Sequence, residues 1–220
     1  MWEAILGGLA TVAGAYFGSA AAFRFNRQQH ESEKLATQVE ECNRTVLLLS
    51  LQYSLLENYQ RQRMQEHEAS AGRHLLLRAN AEFKVEHLRI NAAALSFLLA
   101  TEARDVPPET AILNDRFMNC IVVVNERSRI HIDQYQPALE AALQSKQTTF
   151  LPGGEVEKLV GPRITHTLES LTTDIYERVP ETMAAIAAAV NLFHAKLTKI
   201  YPGQPLIKFQ PKLMESVLLT

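Results

Sequence analysis

Residues Ile5–Gln29 read ILGGLATVAGAYFGSAAAFRFNRQQ. The segment is apolar and rich in glycine and alanine, then turns abruptly polar. What solvates it decides the architecture of everything behind it. Ala4–Phe23 is 20 residues without a charge, and a helix of that length is ~30 Å long, the thickness of a bilayer's hydrocarbon core. Its four glycines weaken a helix in water, but a transmembrane helix tolerates them because small residues let neighbouring helices approach. Arg24 and Arg27 follow at once, while the other flank offers only Trp2 and Glu3. The positive-inside rule then turns the body of the chain toward the cytoplasm. A secretory leader carries its positive charge ahead of the apolar run rather than after it, although Ala20-Ala21-Ala22 would suit a peptidase. An amphipathic surface helix needs a polar face, which this run lacks. A buried core helix is the remaining rival, since the run is only modestly hydrophobic. The expected reading is a single-pass anchor over residues 1–27 in the inner (plasma) membrane.

Small residues in this run are spaced regularly. Ala10, Gly14, Gly18 and Ala22 recur every fourth position, and Gly7, Thr11, Ala15 and Ser19 make a second row beside them. GxxxG spacing lets two helix backbones approach closely. One row suits a dimer, and two adjacent rows let each helix touch two neighbours. Ala10, Gly14, Gly18 and Ala22 are therefore the candidate contacts of a homo-oligomer in the bilayer.

Composition narrows the remaining classes. The 22 basic and 24 acidic residues nearly cancel, so the general basic surface of a nucleic-acid binder is missing and nucleic acid is not an expected partner. Cys42 and Cys120 stand alone in apolar runs, without the CxxC or Cys/His spacing of a zinc site, and read as buried free thiols. None of the seven histidines pairs with another at i, i+4. No Walker loop, GxGxxG, HExxH or GxSxG is present. No metal, cofactor or catalytic residue is expected.

The body reads as helical throughout. Leu35, Val39, Cys42, Val46, Leu49, Tyr53 and Leu56 step by alternating fours and threes, a seam of coiled-coil type. Leu47, Leu48, Leu51 and Leu55 widen it, which predicts packing on more than one partner. With no breaker before Gly72, anchor and first body helix are expected to form one rod of roughly 65 residues. Residues 73–90 are open between helix and irregular excursion. A short helix is expected over Leu95–Ala100, and a long one from Pro108 along Leu113, Phe117, Cys120 and Val124, with Pro137 as a kink or restart. A last long helix is expected from about Glu155 to Ile200, broken at Pro180. The fold class is all-α: one N-terminal transmembrane helix, then a cytoplasmic bundle of about four helices over residues 28–200 and an extended tail over 201–220 in which "PLIKF" offers an edge contact.

Steps of three and four from Val124 reach Arg127 and His131, a candidate polar cluster on a packing face, with Asn125, Glu126 and Asp133 as candidate partners. All-helical bundles with Arg-x4–6-His resemble HEPN-type domains, many of which cut RNA. Arg127 and His131 are separated by only three residues, whereas Arg24/His30 and Arg61/His67 are separated by five, and about one such match arises by chance. The layout of "GAYFGSAAAFRFNR" followed by a helical bundle resembles a common class of uncharacterised bacterial membrane-anchored proteins. By architecture it is also similar to the HEPN-like membrane accessory of type VI-B CRISPR systems. That resemblance implies an oligomeric, pore-forming effector or accessory in anti-phage defence, with the lipid bilayer and further copies of the chain as partners. Two alternatives stand beside it: a passive anchor or scaffold that recruits a cytosolic protein partner, and a HEPN-like ribonuclease.

Overall fold

The computed structural model describes residues 2–150 and 152–209, with the side chains of 2–18, 20, 21 and 153 excepted. Among the described residues the chain is all-helical, and three long helices carry the bundle. Helix α1 (Trp2–Tyr59) runs unbroken for 58 residues, ~87 Å at 1.5 Å per residue. It ends in a π turn at Gln60–Met64 and a 3-10 turn at Gln65–His67. A single helical turn, α2 (Arg73–Leu76), opens a strap over residues 77–91 that contains the 3-10 turn Glu86–Leu88. A longer 3-10 helix, Ala92–Ala100, leads to α3 (Val106–Ile130). Then come a π turn at His131–Tyr135, α4 (Gln136–Ser145), α5 (Gly153–Val160) and α6 (Pro162–Ile200).

Helix α6 lies antiparallel to both α1 and α3. At one end Tyr201 Oη donates to Gln38 Oε1 (3.3 Å) and Lys196 pairs with Asp105. At the other, Tyr176 Oη donates to the Met64 carbonyl (2.8 Å). Lys196 holds the Asp105 carboxyl below the ordinary carboxylate range by hydrogen bonding to it. Three apolar clusters fill the interior in succession. Val39, Cys42, Val46 and Leu49 meet Leu98, Leu113 and Ile186–Leu197 of α6. Leu56 and Tyr59 meet Val85, Leu88, Phe117, Val124 and Ile175. Ile130, Ala142, Val156, Val160 and Leu168 close the far end. A fully buried side chain such as Phe117 or Leu56 contributes about 1.5–3 kcal/mol, so the repeated seam outweighs the weak intrinsic helix preference of "CIVVV" within α3. Both cysteines are buried and unpaired. Burial pushes the Cys42 thiol up to about 11, helped by Glu41, and the Cys120 thiol up to about 12.

Several expectations change. Among the described residues the bundle is not made of four helices: α3 passes through a π turn into α4 without leaving the right-handed helical region, in keeping with the expected continuation past Pro137, and the last helix divides. Its division falls at Gly161, not at Pro180, which lies inside an unbroken α6. Gly161 has φ +105°, which stops a helix of L-residues, while α6 absorbs the N–H that Pro180 lacks. Leu47 and Leu51 do not widen the seam but stand 48% and 42% exposed; only Leu48 and Leu55 of that group are half-buried. Residues 73–90 resolve into one turn of helix followed by the strap. The tail is not extended throughout: a turn over 201–204, with Gln204 N donating to the Tyr201 carbonyl, comes first, and 205–209 then lies beside α1; its remainder, 210–220, lies outside the described residues. No helix among the described residues is long and apolar enough to cross a membrane. Most of Ala4–Phe23, on which the expected span rests, lies outside the described side chains.

The two interhelical glycines predict opposite outcomes in a thermal melt. A Cβ at Gly161 meets nothing within 4 Å, so Gly161→Ala is penalised by its positive φ alone, about 1–3 kcal/mol. Gly72 has φ −90° and equally open surroundings, so Gly72→Ala is expected to be neutral or to stabilise by about 0.4–1 kcal/mol.

Candidate functional site

The centre of the polar interior is a buried cation. Arg127 sits on the inward face of α3 with 0% exposure, the largest fully buried side chain among the described residues. Among the described residues it has no carboxylate partner. Its Nε donates to Thr172 Oγ1 on α6 (3.1 Å), and its Nη2 donates to the carbonyls of His74 (3.0 Å) and Leu77. Burial pulls Arg127 down to about 10, with Tyr59, Tyr176 and Tyr135 acting in the other direction, so the guanidinium stays charged at neutral pH. A charge so enclosed costs several kcal/mol unless dipoles replace its water. Here two backbone carbonyls and a hydroxyl do so.

The His74 carbonyl lies within α2 and the Leu77 carbonyl opens the strap, so the guanidinium sets where the strap starts. Other polar side chains fix its course. Ser128 Oγ donates to Asn80 Oδ1 (2.9 Å). Asn125 exchanges two hydrogen bonds with the backbone of Phe83 (3.0 and 3.1 Å). Asn114 Oδ1 accepts from Ile90 N (2.9 Å), and Gln52 Nε2 on α1 donates to the Leu88 carbonyl (2.9 Å). Asn114, Asn125 and Ser128 lie three turns and then about one turn apart, along one side of α3. An irregular segment cannot satisfy its own backbone groups, and these side chains do it instead.

Polar atoms remain over around Arg127. Its Nη1, the Tyr59 hydroxyl and His131 Nδ1 are buried without a hydrogen-bond partner. His131 lies in the π turn after α3, 7% exposed, with its ring 5.0 Å from that of Tyr135. Burial first, and the Arg127 charge second, pull the imidazole down to about 4. Arg127 and His131 thus share one electrostatic environment inside the bundle. Arg127's Nε and Nη2 hold backbone and Thr172, and neither side chain faces solvent. Arg24 and His30 are on the exposed part of α1; Arg61 is exposed and His67 half-buried on the turns that end it. Among the described residues no three His, Cys, Asp or Glu side chains lie close enough together to hold a metal ion.

The strap also shapes the surface. Asn80 and Glu82 form a ridge shared by two clefts. One, of about 600 Å³, is bounded by Val122, Asn125, Arg129, Ile132 and Asp133. The other, of about 670 Å³, lies between the strap and α1. Glu126 and Arg129 pair at the first cleft (2.6 Å), which holds the Glu126 carboxyl below its ordinary range. Of the small-residue row, Ala22 is exposed; Ala10, Gly14 and Gly18 lie outside the described side chains. Asn125, expected as a candidate partner of Arg127 and His131, instead holds the backbone of Phe83. Asn114, Ser128 and Gln52 escaped the sequence reading. Their signal was faint: polar residues one position off, or inside, apolar seams. Compared with known protein families, curated proteins and solved structures, the chain matches none.

Arg127→Met is expected to cost about 2–4 kcal/mol. It relieves a buried charge but strands two carbonyls and a hydroxyl, and the stranded groups outweigh the relief. Hydrogen exchange should rise first in residues 77–91, ahead of α6. The pH response concerns His131. The unfolded imidazole takes up a proton below about pH 6.5, while the folded one resists until about 4. The unfolded chain binds more protons in that window, so stability falls as pH drops from 6.5 toward 4 and is unaffected above it. His131→Phe should flatten that decline in urea melts at pH 7, 5.5 and 4.5.

Proposed function

We propose that the chain is a single-pass membrane protein whose helical bundle acts as a scaffold for a cytosolic partner, held off the bilayer on a helical stalk. One observation carries this reading. Phe23 and Phe25 stand 71% and 67% exposed beside Arg24 and Arg27, immediately after the uncharged run, on a helix continuous with the bundle core. Exposed aromatics with cations at the end of a 20-residue apolar helix suit the headgroup layer, where rings and guanidinium groups find both apolar and anionic surroundings. From Ala22 to Lys34 every side chain is exposed, and Val39 is the first fully buried one. Sixteen residues from Phe23 to Val39 give a stalk of ~24 Å. The arginines put the bundle on the cytoplasmic side.

Self-association in the bilayer, including a membrane-perturbing or pore-forming assembly, draws on the same helix. The rows Ala10, Gly14, Gly18, Ala22 and Gly7, Thr11, Ala15, Ser19 would let copies pack side by side.

Membrane vesicles washed at alkaline pH are expected to retain the full chain. The double substitution Leu9→Arg with Val12→Arg should release it with its helical content unchanged. Recovery of the unaltered chain in the wash would reject the anchor. For association, Gly14→Leu with Gly18→Leu should lower the particle mass in detergent, and an unchanged mass would remove the oligomer.

A further inference from the structure

The cleft between α1 and the strap changes character from one end to the other. Leu51, Leu55, Asn58 and Gln62 follow at steps of four, three and four, so one stripe of α1 forms its wall over ~17 Å. The strap runs the opposite way along it. Gln52 Nε2 donates to the Leu88 carbonyl (2.9 Å) at one end, and the Tyr59 and Phe83 rings meet edge-on in the middle, with centroids 5.9 Å apart. Asn80, further back along the strap, lines the far end with Gln62 and Arg63. The Leu51 end is apolar: Leu51 is 42% exposed, with Leu55 half-buried and Leu88 buried beside it. The far end is polar and cationic. Arg63 is half-buried there, and among the described residues its guanidinium has no hydrogen bond or ion pair. Asn58 Oδ1 accepts from Arg61 (3.0 Å), which leaves its Nδ2 as a donor, and the Gln62 amide is exposed beside it. Glu82 is the one carboxylate of this lining among the described residues, exposed on the ridge shared with the other cleft, and His87 is exposed next to Leu88.

A half-buried guanidinium without a counter-charge, at the head of an apolar trough, is the complement of a linear anionic amphiphile. An oxyanion on Arg63 makes charge-assisted hydrogen bonds, roughly twice as strong as neutral ones. A hydrocarbon chain laid toward Leu51 covers apolar surface that water otherwise wets. The cleft's volume of about 670 Å³ is that of a small-molecule site. Glu82 reaches solvent from the ridge, so its charge is screened, whereas that of half-buried Arg63 is screened less. We propose that this cleft binds a free single-chain carboxylate of the medium-chain fatty acid class. The carboxylate sits on Arg63 with the Asn58 and Gln62 amides, and the chain runs along Phe83 and Leu55 to Leu51. A cationic head is repelled by Arg63, and a neutral one leaves the guanidinium without its counter-charge. The ligand comes from the aqueous phase, because Leu51 lies ~42 Å along α1 from Phe23, out of reach of a bilayer that holds the run before Phe23. The site itself uses no residue before Leu51 and stands independently of the membrane reading.

Photolabelling of the full chain, purified as it is recovered, tests the assignment. The probe is laurate carrying a diazirine near its methyl end and an alkyne handle, and labelled peptides are mapped by mass spectrometry. Label is expected on the peptides that hold Leu51–Leu55 and Leu88. Unmodified laurate should compete about tenfold better than dodecylamine or dodecanol, which put a chain of the same length behind a positive or a neutral head. Arg63→Gln should erase that preference. Leu51→Asp should remove the label from the cleft, and Leu192→Asp, at a comparably exposed leucine of α6, should leave it. Circular dichroism checks the three variants, and the head preference of the unaltered chain decides the matter even where a variant fails to fold. Label that spares the cleft, equal competition by the three heads, or a preference that survives Arg63→Gln overturns the proposal. Two further results overturn it by naming another occupant. A photoreactive two-chain phosphatidylcholine in vesicles that labels the cleft where laurate does not makes it a bilayer lipid. Leu51→Cys chains that oxidise into pairs and thereby lose the laurate label make it a second copy.

Discussion

The placement of Arg127 is the constraint on which the middle of the molecule depends. A guanidinium buried with no carboxylate among the described residues must be neutralised by dipoles, and the dipoles it uses are the carbonyls of His74 and Leu77. The first lies in the single turn of α2 and the second opens the strap, a segment too irregular to hold itself in place. By ordering them, the cation fixes the start of the strap, and Ser128, Asn125 and Asn114 then lay the strap along α3 one backbone group after another. Val85 and Leu88 are thereby pressed into the central apolar cluster, and Asn80 and Glu82 become the ridge between two clefts. The same buried charge sets the electrostatics of its neighbours, adding to the burial that keeps His131 neutral.

The helices supply the rest by ordinary means. Three seams of apolar residues at heptad-like spacing give α1, α3 and α6 one continuous interior, the π turn at His131–Tyr135 carries α3 on into α4, and Gly161 parts α5 from α6. Pro180 breaks nothing. Met183, Ile186, Val190 and Phe193 are all buried on the turns that follow it, and that packing offsets the hydrogen bond a proline removes.

Helix α1 divides into two regimes. From Val39 onward it is a bundle helix with one face sealed. From Ala22 to Lys34 every side chain is exposed, two phenylalanines among them. An isolated stretch of helix with that surface gains nothing from packing on its own bundle. Its chemistry, aromatic and basic at the end of an uncharged run, is the strongest functional signal in the chain.

The periodicities by themselves determined the all-helical class, the buried faces of α1, α3 and α6, the burial of both cysteines and the inward positions of Arg127 and His131. Those are local properties, because a seven-residue repeat fixes a helix face without reference to any partner. Only the tertiary structure decided where the last helix divides, which leucines of α1 stay uncovered, and what Arg127 holds. Each depends on groups far apart in the sequence: backbone carbonyls some fifty positions upstream, a strap whose hydrogen bonds go to other helices, and a tail that returns to Asn43 across more than 160 residues. A backbone acceptor carries no side-chain signature, so no reading of residue types could have named it.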